Sequence, residues 1–127
     1  MTDATAVQFV KLDDLRAFTA VPGVHMRGVF GSGAMLNLVE LEPDALLPLH
    51  SHPHEQIGFV VSGTEILEVE GVEHRIGPNE AYVIPGGVEH SGRGGPEGCV
   101  LIDVFQPVRE DYRAAMDALE AEPRANV

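Results

Sequence analysis

The sequence holds a single cysteine, so no disulfide can form within the chain. Cys99 lies in an apolar run, where a buried and unreactive thiol is expected. Basic residues are also scarce, with 8 lysines and arginines against 20 acids and a formal net charge of -12. Because such a charge repels phosphate backbones and anionic lipid, we expect neither nucleic acid nor a membrane surface as a partner. A small anionic substrate remains compatible with it, since a local arginine or a metal ion can hold one.

Long apolar segments are missing as well. No run approaches the ~20 apolar residues of a membrane-spanning helix, and residues 1–10 have neither the basic start nor the apolar stretch of a signal peptide. The sequence shows no low-complexity tract and no repeat of solenoid length. We therefore expect a soluble cytoplasmic protein whose residues 1–127 form one domain.

Turn-forming residues are abundant by contrast, with 14 glycines and 9 prolines. They separate short segments in which apolar and polar side chains alternate, as is typical of β-strands. An extended piece at residues 7–11 and a loop or helical turn come first. Further strands are predicted at residues 24–30, 34–42, 46–52, 56–61, 64–70, 72–76, 80–84, 88–91 and 99–105, with a turn at 62–63 and a glycine-rich loop at 92–98.

The period of the pattern changes only near the C-terminus. Tyr112, Ala115, Met116 and Leu119 fall at i, i+3, i+4 and i+7, which marks one face of a helix over residues 109–121. A series of short strands with one late helix indicates an all-β protein. We expect a jelly-roll barrel, also called a double-stranded β-helix, with its core at about residues 24–106 and one short C-terminal helix.

Histidines are the most informative residues. His50 and His52 lie one residue apart on a predicted strand, and because side chains alternate along a strand, both face the same side. Such a pair supplies two nitrogen ligands to one metal ion without bending the backbone. His90 follows some forty residues later and is a candidate for a further ligand.

The histidines belong to two spaced motifs that resemble those of the cupin superfamily. The first, Gly, five residues, His-x-His, three or four residues, Glu, six residues, Gly, corresponds here to Asp44, His50, His52, Gln56 and Gly63. The second, Gly, five residues, Pro-x-Gly, two residues, His, three residues, Asn, corresponds to Asn79, Pro85, Gly87, His90 and Gly94. Both spacings are met in full. The resemblance implies a jelly-roll barrel.

Some positions depart from these motifs. Asp44 and Asn79 replace turn glycines, and both residue types tolerate the left-handed backbone conformation better than other non-glycine residues. Gln56 replaces the usual glutamate. Because its amide is neutral, a divalent ion bound there keeps its full charge and is a stronger Lewis acid.

The resemblance implies one divalent transition metal ion, and nickel, zinc, iron, manganese and cobalt all suit the donors. Its four ligands would be His50, His52, Gln56 and His90. Alternatively, the histidines pack without a metal and Gln56 caps a strand. His54 and Glu55 compete as ligands, but we expect Pro53 to turn both to the surface.

A later segment carries a closer resemblance. Residues 103–111, Asp-Val-Phe-Gln-Pro-Val-Arg-Glu-Asp, resemble the Asp-x-Phe-x-Pro-x-Arg-Glu-Asp segment of the KdgF-type pectin-degradation cupins, as does the run from His50 to Gly58. The resemblance implies linearisation of a 4,5-unsaturated uronate to an open-chain 5-keto sugar acid. Residues that this family places near the metal match Asp103, Phe105 and Arg109 here.

The positions of these three residues suit such a reaction. Asp103 and Phe105 lie two apart on the last predicted strand and share a face, with Arg109 just beyond it. Asp103 would move protons, Arg109 would pair the uronate carboxylate in a bidentate contact, and Phe105 would pack against the sugar and exclude water. The structural alternatives are a solvated carboxylate for Asp103, a surface ion pair for Arg109 and plain core packing for Phe105.

Two other functions stay open at this point. One is a different metal-dependent cupin enzyme, either an iron dioxygenase or a cyclase or isomerase that acts on an aromatic or polyketide-like substrate. The other is a cupin that binds a small molecule without turnover. We also expect a homodimer from the resemblance, with residues 7–11 as a candidate strand for pairing with a second subunit. His25 and Arg27 share a face of an early strand, and we expect them to face solvent.

Overall fold

The computed structural model describes residues 6–124, in which eight β-strands precede one α-helix. A 3₁₀ turn at Leu12–Asp14 comes first, where a loop or helical turn was predicted. The strands are β1 (Phe18–Val21), β2 (Val24–Phe30), β3 (Met35–Leu41), β4 (Leu46–His50), β5 (Glu55–Val69), β6 (Val72–Ile76), β7 (Ala81–Ile84) and β8 (His90–Gln106), and the helix α1 is Glu110–Ala121. Across residues 6–124, no helix has both the length and the apolar character needed to cross a bilayer.

The two long strands β5 and β8 organise the barrel because each takes part in two layers. In one layer the order is β1-β2-β3-β8-β5-β7, with β8 paired through residues 99–106 and β5 through residues 55–63. In the other layer the order is β4-β8-β5-β6, built from residues 90–94 of β8 and 65–69 of β5. Every pairing is antiparallel. The prediction of an all-β jelly-roll barrel with one short C-terminal helix is confirmed.

Two predicted turns are wrong, because they lie inside strands. The sequence predicted a turn at residues 62–63 and a glycine-rich loop at 92–98, but β5 and β8 run through both segments. The register of β5 against β8 shifts between Val60 and Ser62 and again between Gly63 and Glu65. Such irregularities let a strand bend from one layer to the next. The residues that resemble turns are therefore the corners of the barrel.

The segments around β1 and β4 also differ from the prediction. Residues 7–11 form no strand, whereas Phe18–Val21, for which no strand was predicted, forms β1 and pairs with β2. β4 ends at His50, so His52 lies just beyond the strand on which it was predicted. The expectation for the two motif turns is confirmed, because Asp44 and Asn79 have φ of 60° and 66°.

The apolar core fills one end of the barrel and reaches α1. A row of directly paired residues on β2, β3, β8 and β5 crosses the inner face there, and Met116 of α1 joins the same cluster. The members of this row are Met26, Val39, Leu101 and Val60, each at most 2% exposed. The buried polar residues Asn37, Asp103 and Gln56 lie beyond this row, toward the other end of the barrel.

The corner of β5 yields a test. Gly63 has φ of 74°, and a Cβ added there would overlap the carbonyl oxygen of Gly98. Gly71 has φ of 82° with no atom within 4 Å of such a Cβ, so it is the matched control. We expect Gly71→Ala to lower the free energy of unfolding by about 1–2 kcal/mol. Gly63→Ala should cost about 1–3 kcal/mol more. Equal losses in urea titrations would contradict this account of the corner.

Candidate metal centre and active site

Three histidines from two separate stretches of chain converge at the polar end of the barrel. His50 ends β4 and pairs directly with His90, the first residue of β8, while His52 follows β4. One ring nitrogen of each histidine lies within 4.8 Å of the others. The centroids of the three rings are 4.4–5.5 Å apart. This cluster can hold a metal ion.

A backbone carbonyl fixes each of these imidazoles through Nδ1. The acceptors are the carbonyl oxygens of Pro48, His54 and Val88, at 2.7, 3.1 and 2.9 Å from His50, His52 and His90. Because a carbonyl oxygen only accepts, each Nδ1 carries the hydrogen and each Nε2 keeps a lone pair. The Nε2 of His90 is buried and finds no hydrogen-bond partner in the described part of the chain. Histidines that bind metals are oriented in this way by a second hydrogen bond.

Gln56, on β5, places an amide oxygen beside the histidines. Its Nε2 donates to Oδ1 of Asp103 at 3.0 Å, which leaves its Oε1 facing Nε2 of His52 at 3.2 Å. Burial, together with the charges of Arg109 and His90, lowers the pKa of His52 to about 4. The Nε2 of a neutral His52 therefore presents its lone pair to the lone pairs of Oε1 of Gln56. Two facing acceptors fit a shared cation, so these residues suit a divalent metal ion.

Asp103 lies in a polar row that crosses the inner face of the barrel. The register pairs Asn37 with Asp103, Asp103 with Gly58, and Gly58 with Tyr82. Directly paired residues project to the same face, so these side chains are neighbours. Asn37 is fully buried, and neither polar atom of its amide has a hydrogen-bond partner among the described residues. This row separates the metal-binding end from the apolar core.

Asp103 shares the interior with a second carboxyl group, that of Glu65. Burial raises the pKa of Asp103 to about 7, although hydrogen bonds from Gln56 and Tyr82 act in the opposite direction. Burial and the Asp103 charge raise the pKa of Glu65 to about 8. A carboxyl with a pKa near neutrality can both accept and donate a proton at the working pH, which is what acid–base catalysis needs.

Phe105 and Arg109 close the site on the side of α1. The ring of Phe105 meets that of His52 edge to face, with centroids 5.5 Å apart. The guanidinium of Arg109 lies 4.0 Å from the ring centroid of Tyr112, and its Nε and Nη2 donate to Asp111 at 3.0 and 2.7 Å. Its Nη1 is buried and has no hydrogen-bond partner within residues 6–124. Because Nη2 keeps a second hydrogen, the edge formed by Nη1 and Nη2 remains available for the bidentate contact that we expect.

The other four residues considered in the sequence analysis differ in their burial and position. His25 and Arg27 pair with Glu42 and Glu40 on the outer side of β2, as expected. Glu55 is exposed, but His54 is half-buried, with its ring centroid 5.5 Å from that of His52, so the predicted surface position fails for His54. Three interior residues escaped the sequence analysis: Asn37, Glu65 and Tyr82.

Comparison with known proteins agrees with this geometry. A family model described as a cupin domain matches residues 37–105. The chain belongs to the cupin family. The pectin degradation protein KdgF of Dickeya dadantii is 32% identical over 79 residues, which cover 61% of this cupin and 72% of that protein. The structure of KdgF from a Halomonas species superposes with a TM-score of 0.77 at 29% identity, over 83% of this cupin and 99% of that chain.

A second curated relative is the dimethylsulfoniopropionate lyase DddW of Ruegeria pomeroyi. It is 34% identical over 64 residues, which are 50% of this cupin but only 42% of that lyase. The cupin thus spans less than half the length of DddW and most of the length of KdgF. The resemblance to a small KdgF-like cupin is confirmed, and the two relatives together support an enzymatic cupin.

Replacement of His90 tests the metal centre. His90→Ala removes one of three clustered nitrogens, so we expect its affinity for zinc or nickel to fall further than the 10–100-fold that loss of a supporting partner costs. His74→Ala, at an exposed position on β6, is the control and should bind as the wild type does. Isothermal titration of metal-free protein measures both affinities. Equal affinities of the two variants would contradict the site.

Proposed function

We propose that this cupin is a metal-dependent enzyme that opens the ring of a 4,5-unsaturated uronate, as formed in pectin or alginate breakdown. The product would be an open-chain 5-keto sugar acid. The observation that carries the proposal is the hydrogen bond between the buried Asp103 carboxyl and Gln56, beside the three histidines. Similarity to a pectin degradation protein supports a sugar acid as the substrate class.

The reaction needs two proton transfers and no co-reactant. The C1 hydroxyl of the cyclic substrate loses a proton, C1 becomes an aldehyde carbon, and the bond from C1 to the ring oxygen breaks. The resulting enolate takes a proton at C4, so that C5 becomes a ketone. We assign both transfers to Asp103, which accepts the first proton and delivers the second. A divalent ion held by His50, His52, Gln56 and His90 supplies Lewis acidity toward the substrate oxygens.

The neighbours of Asp103 would bind and enclose the substrate. Nη1 of Arg109 is a buried donor with no partner among the residues that the structure describes, and we assign the carboxylate of the uronate to this guanidinium. Phe105 is 3% exposed and packs on His52, so it would keep water from this side of the sugar. Gln56 would bind the ion through Oε1 while its Nε2 holds Asp103.

The decisive experiment adds metal-loaded protein to unsaturated galacturonate and unsaturated guluronate monomers. We expect the absorbance of the conjugated double bond to disappear, because protonation at C4 removes the double bond. A flat trace with both sugars, from protein with full metal content, would contradict the uronate proposal. It would then favour the alternatives, a dioxygenase, a cyclase or isomerase of aromatic or polyketide-like substrates, or a cupin that binds a ligand without turnover.

The role of Asp103 has its own test. Asp103→Asn keeps the size of the side chain but removes the proton acceptor, so we expect kcat to fall by at least about 100-fold with unchanged metal content. Asp117→Asn alters an exposed carboxyl on α1 and is the control. Steady-state kinetics and metal analysis of both variants decide the matter. Retained turnover in Asp103→Asn would remove that residue from the mechanism.

A homodimer and a cytoplasmic location stay predictions. In the segment 7–11, Val7 and Phe9 are 84% and 96% exposed, and pairing of this segment with the edge of a second subunit would cover them. We expect a dimer in sedimentation velocity, and a monomer after deletion of residues 1–11. A dimer that survives the deletion would contradict pairing through this segment.

A further inference from the structure

The layer β1-β2-β3-β8-β5-β7 is apolar on its outward side, although its inward side already contributes to the core. Side chains alternate along a strand, so the residues between the buried ones point outward. Two rows of directly paired outward residues cross β3, β8, β5 and β7. The first row is Leu38, Ile102, Phe59 and Ala81, and the second is Leu36, Val104, Ile57 and Val83. We call these eight residues the outer apolar face.

Within residues 6–124, the outer apolar face is open to solvent. Val83, Ile57 and Phe59 are 59%, 42% and 37% exposed, and α1 packs on β1 and β2 rather than on these rows. An antiparallel sheet commonly packs one face on the core and presents polar side chains to water on the other. A sheet that is apolar on both faces therefore indicates that another surface covers the second one.

The other layer of the same barrel has the polar outward face that solvent requires. In the layer β4-β8-β5-β6, the outward positions include Glu68, Glu73, Arg75 and Arg93. Arg93 and Glu73 form an exposed ion pair there, with 3.1 Å between Nη1 and Oε1. The outer apolar face has no charged member. The charge beside its first row is Arg27, which pairs with Leu38 and is neutralised by Glu40.

The absence of charge on this face favours a second copy of the chain as the partner. Two molecules that each carry a formal net charge of -12 repel one another, so an uncharged surface is where they can approach at least cost. In a two-fold contact the same patch lies on both sides. An apolar face without charges is complementary to itself, whereas a charged patch would meet its own sign.

The size of the surface suits such a contact. Five strands from β2 to β7, spaced by about 4.8 Å, make the face about 20 Å wide, and five residues of β5 make it about 17 Å long. The segment 7–11 extends it at the β2 end, because Nε2 of Gln8 donates to the carbonyl oxygen of Phe30 at 3.1 Å. Val7 and Phe9 are 84% and 96% exposed in that segment. Together these surfaces come close to the about 800 Å² per partner of a standard interface.

We propose that two copies of this cupin pack their outer apolar faces against each other in a two-fold dimer. The contact is a sandwich of two sheets about 10 Å apart. Gln56 and Asp103 lie on the inward side of the same strands, so each metal centre is on the side away from the partner. The dimer does not depend on the proposed function, and the face adds a second surface to the segment 7–11.

Val83 and Val72 provide a matched pair of variants. They are 59% and 57% exposed on the short strands β7 and β6, but only Val83 belongs to the outer apolar face. Val83→Asp buries an unpaired charge in each copy, so we expect the dissociation constant of the dimer to rise at least about 100-fold. Val72→Asp should leave it within about threefold of the wild type. Sedimentation velocity over a range of concentrations measures both constants.

A milder variant guards against misfolding. Ile57→Thr keeps a β-branched side chain in β5 and makes the face more polar, so we expect the dissociation constant to rise about 10-fold. Circular dichroism and titration with zinc should match the wild type in all three variants, because these residues point away from the histidines. A folded Val83→Asp or Ile57→Thr variant that dimerises as the wild type does would overturn the proposal. A wild type that is monomeric at about 100 μM would also overturn it, and would leave the face to a different protein.

Discussion

Three imidazole lone pairs and one amide oxygen point into the same small volume, and this constraint governs the polar end of the barrel. Each imidazole is turned inward because its other nitrogen donates to a backbone carbonyl within two residues, so the local backbone sets the direction of the lone pair. The amide of Gln56 is turned by Asp103. Donors buried in this way are stabilised when they share a cation, which ties the fold around them to metal binding.

The same constraint decides the surroundings of Asp103. Gln56 is neutral, so the proposed ligand set carries no carboxylate, and the amide of Gln56 holds the carboxyl of Asp103. Burial raises the pKa of Asp103, whereas a bound cation and the charge of Arg109 would lower it. In the proposed reaction, the balance of these opposing effects would allow a single carboxyl to take up a proton and release it again.

Glu65 and Tyr82 continue this network away from the metal site. Two carboxyl groups and one phenol share the interior between the histidines and the row that begins at Met26. Burial raises the pKa values of Glu65 and Tyr82, which disfavours a second negative charge beside Asp103. Gly58 and Gly92 leave room for the side chains of Tyr82 and Glu65, so β5 and β8 have no side chain of their own to pack at these two positions.

The sequence by itself determined the alternation of the strands, the late helix, the ligand spacing and the shared face of Asp103 and Phe105, because these follow from periods of two and 3.6 residues. Alternation does not distinguish a turn from a corner, so residues 62–63 and 92–98 resembled breaks in β5 and β8. Only the tertiary structure brought Glu65, Tyr82 and Asn37 beside Asp103. Their proximity depends on the register between strands distant in the chain, and that register is set by packing of the whole barrel rather than by any local pattern.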